Sequence, residues 1–244
     1  MTCILLAAGY ATRLYPLTKN FPKALLDVGG KTILDRITEN LEDGCGIDRY
    51  VIITNHNFYG HFSRWAEGAS LSASVTVLDD GTDSAENRLG AVGDLLFADK
   101  TLGLEDDLFV LAVDYFVSFP FRDFVRYFRE KRASCIMRFE EHDTAMLRKA
   151  AAMTVDGEDR ILRMVEKPAE PFDIWCAPPF YLYDRKDLPL IRRSVSSGCG
   201  KDAPGSLAAW LSGETAVYAM QMPGMHYDVG DLESYREIQK QFST

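Results

Sequence analysis

Residues 3–23 have the sequence CILLAAGYATRLYPLTKNFPK, in which a short apolar run is followed by small residues, a glycine and three cations. The apolar run is too short for a helix, which favours a buried β-strand. Small residues after such a strand let the backbone turn sharply and approach a ligand closely. Open α/β sheets bind ligands at this carboxyl edge. Residues 8–23, called the first loop below, are therefore predicted to bind a ligand.

Two of the cations of the first loop, Arg13 and Lys23, indicate what that ligand is. A polyphosphate is held by backbone N–H groups and positive charge, and the same groups stabilise a pentacoordinate phosphorus as it forms. The sequence therefore predicts a polyphosphate site at the end of the first strand.

Two common nucleotide-binding loops do not fit this stretch. A P-loop needs a glycine five residues before Gly-Lys-Thr, and Leu25 holds that position relative to residues 30–32. A dinucleotide-binding turn needs three spaced glycines, and only Gly9 is present, with Ala11 and Leu14 at the other two positions.

The rest of the chain alternates short apolar runs with stretches of helical periodicity, which is typical of an α/β fold. We predict a Rossmann-like mixed, mostly parallel sheet covered by helices in a single domain. Strands are predicted at 3–7, 50–54, 74–78, 108–113, 134–139, 151–155, 161–165, 175–183 and 216–221. Helices are predicted around 33–41 and 121–128, and at 185–196, 205–212 and 232–242. Residues 1–142 are expected to form a nucleotide-binding half and residues 143–244 an acceptor-binding half.

Composition and charge restrict the partners. Of 244 residues, 47% are hydrophobic and 26% are charged, as in ordinary globular proteins, and the formal net charge is -9. This balance argues against nucleic acid or an anionic membrane as a partner, so a few local cations must hold any anionic ligand.

The first residues lack the basic and long apolar regions of a signal peptide, and a cytoplasmic protein is expected. The five scattered cysteines contain no CxxC pair, and we expect them to be reduced.

Residues 5–35, LLAAGYATRLYPLTKNFPKALLDVGGKTILD, resemble the signature of the sugar-1-phosphate nucleotidylyltransferases, also called nucleoside-diphosphate-sugar pyrophosphorylases. A buried strand with a basic loop and a proline turn would explain the prolines but not the whole spacing. The residues in register with the signature are Gly9, Thr12, Arg13, Leu14, Pro16, Thr18, Pro22 and Lys23.

Later segments resemble the same family in the same order. Residues 87–91, NRLGA, resemble a loop that lies against the nucleobase, although they also fit the start of a helix. Asp114 follows an apolar run, where the family coordinates magnesium and where a turn or a helix cap is the ordinary alternative. Residues 166–168, EKP, resemble the acceptor-binding motif, although this tripeptide alone also fits a surface strand that ends at a proline. Residues 227–230, YDVG, resemble a signature whose aspartate is a second magnesium ligand.

The resemblance implies a role for each matching residue. Two strand-end carboxylates would suit Mg²⁺, a hard cation that keeps several waters and takes one or two protein oxygens. The implied catalytic residues are Arg13 and Lys23. The implied nucleotide-binding residues are Leu6, Ala8, Gly9, Thr12, Arg13, Asn87, Gly90 and Asp114. The implied acceptor-binding residues are Glu166 and Lys167, and the implied metal ligands are Asp114 and Asp228.

The reaction that the resemblance implies transfers a nucleoside monophosphate from a nucleoside triphosphate to a sugar 1-phosphate. Departures from the family pattern at Ala11, Val113, Tyr115 and Ala151 leave two alternatives open. The acceptor could be an alcohol phosphate such as phosphocholine, or the chain could bind nucleotide without catalysis. The sequence does not identify the nucleobase, and it is compatible with a homo-oligomer.

Overall fold

Residues 1–242 are described by a computed structural model, in which strands and helices alternate along the chain. The strands are β1 (Thr2–Leu6), β2 (Asp27–Val28), β3 (Lys31–Thr32), β4 (Arg49–Thr54), β5 (Ser74–Asp79), β6 (Leu108–Ala112), β7 (Tyr115–Val117), β8 (Cys135–Glu140), β9 (Ala151–Val155), β10 (Ile161–Glu166), β11 (Trp175–Ala177), β12 (Phe180–Tyr183), β13 (Tyr218–Gln221) and β14 (His226–Asp228). The helices are α1 (Ile33–Glu42), α2 (Tyr59–Gly68), α3 (Ala91–Leu102), α4 (Arg122–Lys131), α5 (Thr144–Leu147), α6 (Leu188–Arg193), α7 (Pro204–Glu214) and α8 (Leu232–Phe242).

The chain divides into two compact units that interleave along the sequence. The first unit contains Thr2–Arg88, Ala112–Arg122 and the residues from 224 onward, and the second contains Met1, Leu89–Leu111 and Asp123–Pro223. The predicted halves, 1–142 and 143–244, are defined by their expected functions, whereas these units are defined by contacts between residues. The division of functions between the two halves stays a prediction.

The first unit is built on three parallel strands, in which β1 and β5 both pair with β4. Every residue of β1 is buried, as its uninterrupted apolar run predicts. Because parallel strands end at the same edge of a sheet, the first loop and the residues that follow β4 and β5 lie at one edge. Two small antiparallel pairs complete this unit, β2 with β3 and β7 with β14.

Helix α1 shows how local sequence sets a boundary in the first unit. The Thr32 side chain accepts a hydrogen bond from the Asp35 N–H, and the Asp35 side chain accepts one from the Thr32 N–H, which forms a capping box. The four apolar residues at helical spacing, Ile33, Leu34, Ile37 and Leu41, are fully buried. The predicted helix at 33–41 is therefore confirmed.

The second unit is mainly antiparallel. Its strands lie in the order β10-β9-β11-β8-β12-β6, each antiparallel to its neighbours, and β13 pairs in parallel with β8. Helix α7 packs against β10 within this unit. An α/β fold with a mixed sheet covered by helices is thereby confirmed.

Two predicted elements are wrong in their extent. The single strand predicted at 175–183 is two strands, β11 and β12, because Pro178 and Pro179 lie between them and proline lacks the N–H that a ladder needs. The helix predicted at 185–196 is a 3-10 turn, then α6, then a second 3-10 turn. The short strands β7 and β14 were not predicted, and neither was α2.

The described residues give two further results. No helix within residues 1–242 is long and apolar enough to cross a membrane. All five cysteines are buried free thiols.

Candidate active site

The start of the first loop is held by a buried asparagine that follows β4. The Ala7 N–H donates to the carbonyl of Ile53 at 2.8 Å, which extends the pairing of β1 with β4. Asn55, which follows β4 and is fully buried, donates from Nδ2 to the Ala8 carbonyl at 3.0 Å. Its Oδ1 accepts the Phe58 N–H at 3.2 Å. Asn55 therefore fixes where the loop leaves the sheet, a role that the sequence analysis missed although its place at the edge of the sheet was a signal.

The middle of the first loop is held by its own residues. Ala11 has a left-handed backbone with φ of 47°, which costs about 1 kcal/mol for a residue with a Cβ. Thr18 stabilises this conformation, because its hydroxyl donates to the Ala11 carbonyl at 2.8 Å. Leu14 is fully buried while the adjacent Arg13 is exposed, so the short 3-10 turn Thr12–Leu14 anchors one side chain and presents the other to solvent.

The remaining predicted nucleotide-binding residues of β1 and the first loop differ in which groups they expose to solvent. Leu6 and Ala8 are buried, so the groups they can offer a ligand belong to the backbone. Thr12 is exposed. A Cβ on Gly9 would meet no atom of the described residues within 4 Å, so there is open space beside the backbone there.

Lys23 forms the central ion pair of the site. Its side chain is only 11% exposed, and Nζ lies 3.1 Å from Oδ2 of Asp114. The other carboxylate oxygen of Asp114, Oδ1, is buried and has no hydrogen-bond partner in the described part of the chain. A buried acceptor without a partner costs about 1–3 kcal/mol. This oxygen therefore indicates a place where a ligand is expected to bind.

The second carboxylate reaches the site through the ribbon of β7 and β14. Asp228 lies opposite Tyr115 in this antiparallel pair, and the Tyr115 hydroxyl donates to Asp228 Oδ2 at 3.0 Å. The Val229 N–H donates to the main-chain carbonyl of Asp114 at 3.1 Å. The ribbon thus joins two aspartates that are more than 100 residues apart in the sequence.

The electrostatics show that the two aspartates share one environment. Burial raises the pKa of Asp228, and the charge of Asp114 raises it further, while Lys23, the Tyr115 hydroxyl and Arg13 oppose this rise. Burial and the same two carboxylates raise the pKa of Tyr115. Tyr115, one of the departures from the family pattern, is therefore a neutral donor to Asp228.

This donor set fits a hard divalent cation. Within residues 1–242, no group of three or more histidines, cysteines and acidic residues could hold a metal ion. Mg²⁺ needs only one or two carboxylates when phosphate oxygens and water complete its shell. The buried Oδ1 of Asp114 and the neighbouring Asp228 are oxygen ligands of this kind, so Asp114 and Asp228 are the residues that would hold Mg²⁺.

Asn87 stabilises its own loop. Its Oδ1 accepts the N–H groups of Asp83 and Ser84 at 3.3 and 3.2 Å, and its Nδ2 donates to Asp83 Oδ1 at 2.8 Å. The predicted contact of Asn87 with a nucleotide stays a prediction.

In the second unit, Gly90 immediately precedes α3, so the alternative interpretation of residues 87–91 as a helix start is confirmed. Gly90 has φ of +80°, and a Cβ there would lie 2.6 Å from the Lys201 carbonyl oxygen. The N–H groups of Ala91 and Val92 donate to the carbonyls of Asp202 and Lys201 at 2.9 and 3.0 Å. Glycine is required here by packing within the chain, and contact with a nucleobase stays a prediction.

Glu166 and Lys167 lie at the end of β10 in the second unit. Glu166 is half-buried and pairs with Ala151 of β9, and Lys167 is exposed with φ of +48°. The Lys167 N–H donates to the Ala150 carbonyl at 3.0 Å. Burial raises the pKa of Glu166, Lys167 lowers it, and the charge of Asp202 raises it. The first unit thus brings together Arg13, Lys23, Asp114 and Asp228, and the second holds Glu166 beside Lys167.

Comparisons with known proteins agree with this geometry. The sequence model of the family described as Nucleotidyl transferase matches residues 2–244. The chain is 24% identical to a putative mannose-1-phosphate guanyltransferase of Sulfolobus acidocaldarius, over 100% of this chain and 64% of that protein. It is 26% identical to a probable mannose-1-phosphate guanylyltransferase 1 of Oryza sativa subsp. japonica, over 96% of this chain and 63% of that protein. The chain therefore spans less than two thirds of the length of these curated relatives.

Solved structures confirm the fold class. UDP-glucose pyrophosphorylase in complex with UDP-glucose superposes with a TM-score of 0.83 at 18% identity, over 99% of this chain and 97% of that one. A putative glucose-1-phosphate thymidylyltransferase from Bacillus anthracis, in complex with a sucrose, gives a TM-score of 0.78 at 23% identity, over 99% of this chain and 95% of that one. The α/β class predicted from the alternation of apolar runs and helical stretches is therefore confirmed over nearly the whole chain.

The raised pKa of Glu166 predicts how one substitution changes stability with pH. Below the ordinary glutamate value of about 4.5, the carboxyl is protonated in the folded and the unfolded chain, so Glu166→Gln should change the free energy of unfolding little. Above the raised folded pKa, the wild type must keep a half-buried charge, so Glu166→Gln should be the more stable protein.

Urea unfolding from pH 4 to pH 8 measures this difference in the free energy of unfolding. Glu170→Gln, at a side chain that is 90% exposed, is the control for the loss of one carboxylate at the surface. A constant difference at Glu166 across the pH range would contradict the prediction.

Proposed function

This chain belongs to the nucleotidyl transferase family, and from that premise we propose that it transfers a nucleoside monophosphate from a nucleoside triphosphate to a sugar 1-phosphate. The products are pyrophosphate and a nucleoside-diphosphate sugar. The observation that carries the proposal is the cluster that Lys23 of the first loop forms with Asp114 and Asp228. In this cluster the buried Oδ1 of Asp114 has no hydrogen-bond partner among the described residues.

The chemistry needs no covalent enzyme intermediate. A phosphate oxygen of the acceptor attacks the α-phosphorus in line, and the bond to the β-phosphate oxygen breaks, so that pyrophosphate leaves with the electron pair. A phosphate monoester has its second pKa near 6 and is already a competent nucleophile at neutral pH. The work left for the protein is to position two anions and to neutralise the charge that develops between them.

The first loop supplies groups for the triphosphate. Its small residues leave open space beside Gly9 for phosphate oxygens to approach the backbone. Arg13, exposed on its turn, stabilises the departing pyrophosphate. Lys23 is held by its ion pair with Asp114, and we assign it to the α-phosphate and the attacking oxygen. A lysine that is already ordered loses little side-chain entropy when substrate binds.

Asp114 and Asp228 hold the metal in this proposal. When bound, Mg²⁺ neutralises negative charge on the phosphate oxygens. The Tyr115 hydroxyl orients the Asp228 carboxylate through its hydrogen bond at 3.0 Å. Lys23 bonds to one oxygen of Asp114, and the other, Oδ1, has no hydrogen-bond partner among the described residues, so we assign it to a ligand.

Glu166 and Lys167 serve the acceptor. Lys167 is exposed and can bind the acceptor phosphate, while Glu166 can accept hydrogen bonds from hydroxyl groups. A sugar phosphate offers such hydroxyls and phosphocholine does not. The relatives are named for mannose 1-phosphate, and one similar structure is named for glucose 1-phosphate, which supports a sugar 1-phosphate as acceptor.

The direct test is pyrophosphate release with Mg²⁺, using each common nucleoside triphosphate with a panel of sugar 1-phosphates and alcohol phosphates. Turnover with one sugar 1-phosphate supports the proposal and identifies both substrates. Turnover with phosphocholine alone would overturn the choice of acceptor. Triphosphate binding without release for any pair would favour a protein that binds nucleotide without catalysis.

Replacement of the central lysine tests the assignment of the first loop. Lys23→Ala should lower kcat by about 10²–10³-fold, because a positioned charge at the reacting phosphate is lost. The fold should survive, as far-UV circular dichroism can show. Lys31→Ala removes a half-exposed lysine that pairs with Glu39, and this control should keep wild-type turnover. A wild-type rate in Lys23→Ala would mean that the loop has been misassigned.

The second aspartate can be tested by a metal titration. Asp228→Asn removes one of the two charges that would hold Mg²⁺, so the Mg²⁺ concentration for half-maximal activity should rise by roughly tenfold or more. Asp43→Asn, at an exposed surface pair with Arg122, provides the comparison. An unchanged titration in Asp228→Asn would exclude this residue from the metal site.

A further inference from the structure

A glycine in α7 lies against the side chain of Glu166. Gly205 is the second residue of this helix and is buried. A Cβ on Gly205 would lie 2.1 Å from Oε2 of Glu166 and 3.0 Å from Cβ of Ala151. The position of the Glu166 carboxylate therefore depends on the absence of a side chain at residue 205.

The backbone of Glu166 cannot yield to such a side chain, because it is fixed in the sheet. Glu166 pairs with Ala151 at the end of β10, and the next residue, Lys167, donates its N–H to the Ala150 carbonyl at 3.0 Å. The carboxylate is the far end of a flexible side chain, so it is the group that would move. An added Cβ would therefore displace the functional group and leave the strand in place.

The segment that leads into α7 is fixed as well. The carbonyls of Lys201 and Asp202 accept the N–H groups of Val92 and Ala91 at the start of α3. Gly90 allows this approach, since a Cβ there would lie 2.7 Å from the Cα of Asp202. The segment that precedes α7 is therefore hydrogen-bonded to the start of α3. Because α7 begins from this fixed segment, Gly205 cannot move away from Glu166 freely.

From this contact we propose that Gly205 is a positioning residue, which lets the Glu166 carboxylate lie against α7 and accept hydrogen bonds from the acceptor's hydroxyl groups. The inference rests on the proposed function, because it assigns Glu166 to the acceptor. It also restricts the acceptor class. An ionised carboxylate only accepts hydrogen bonds, so Glu166 can bind an acceptor that carries hydroxyl groups, such as a sugar 1-phosphate. Phosphocholine has no hydroxyl group that could donate to it.

The test compares two glycine substitutions in the same helix. Gly205→Ala should raise KM for the sugar 1-phosphate by about ten- to hundredfold, the range expected when hydrogen bonds to a charged group are lost. KM for the nucleoside triphosphate should stay within about twofold. Gly213→Ala is the matched control, because a Cβ there would meet no atom of residues 1–242 within 4 Å, and it should resemble the wild type.

A double-substitution cycle separates positioning from a general structural effect. Glu166→Asp shortens the side chain by one methylene, so its carboxylate no longer reaches the place that a Cβ on residue 205 would fill. Gly205→Ala should therefore raise the acceptor KM when it is made in the wild type and change it little when it is combined with Glu166→Asp. Such non-additivity is expected only for residues that interact. An equal effect in both backgrounds would overturn the inference.

A measurement without substrate keeps the two proposals distinguishable. Burial raises the pKa of Glu166, so a carboxylate that Gly205→Ala displaces toward solvent should titrate closer to its ordinary value in carbon-13 NMR. An unchanged titration in Gly205→Ala overturns the positioning role, whatever the assay shows. A shifted titration in a protein that shows no turnover with any acceptor supports the contact and overturns the proposed function.

Discussion

The ion pair between Lys23 and Asp114 is the contact on which the candidate site depends. It holds a lysine that is only 11% exposed, and it leaves one oxygen of Asp114 buried without a partner in the described chain. The two carboxylates lie close together, since Asp114 raises the pKa of Asp228 after burial has done so, while Lys23 and Arg13 lower it. Two neighbouring carboxylates in a half-buried place suit a divalent cation, which would offset their mutual repulsion. Bound phosphates would in turn be attracted by Lys23 and Arg13.

The ribbon of β7 and β14 creates this arrangement from distant parts of the sequence. Asp114 precedes β7, Asp228 ends β14, and the pairing of Tyr115 with Asp228 fixes their relative positions. The alternation of side chains along a strand gives the two faces of the ribbon different roles. Tyr115 and Asp228 lie on one face, while Phe116 stacks on Tyr227 with ring centroids 4.9 Å apart on the other. The aromatic contact therefore stabilises the register on which the carboxylates depend.

The parts of the fold and site that could be predicted are those that depend on residues close together in the sequence. The uninterrupted apolar run of β1 and the helical spacing of Ile33, Leu34, Ile37 and Leu41 each predict an element that the structure contains. The break between β11 and β12 could also have been predicted, since two prolines mark it. For Asn55 the only signal is its place directly after a strand, and for Gly205 there is none, because their roles come from contacts with residues that are far away in the sequence. An asparagine after a strand and a glycine in a helix have many ordinary explanations, and only the fold shows that one holds Ala8 and the other meets Glu166.

Departures from the family pattern have physical consequences that the sequence leaves open. Ala11 replaces a glycine, yet it keeps a left-handed backbone and is held by the Thr18 hydroxyl. Tyr115 brings a bulky side chain to the site, yet its hydroxyl forms a hydrogen bond with Asp228. Ala151 brings a Cβ to the start of β9, where Gly205 opposes it without a side chain of its own. In each case a neighbouring group accommodates or uses the side chain that departs from the pattern. A departure from a motif therefore has to be judged together with the residue that packs against it.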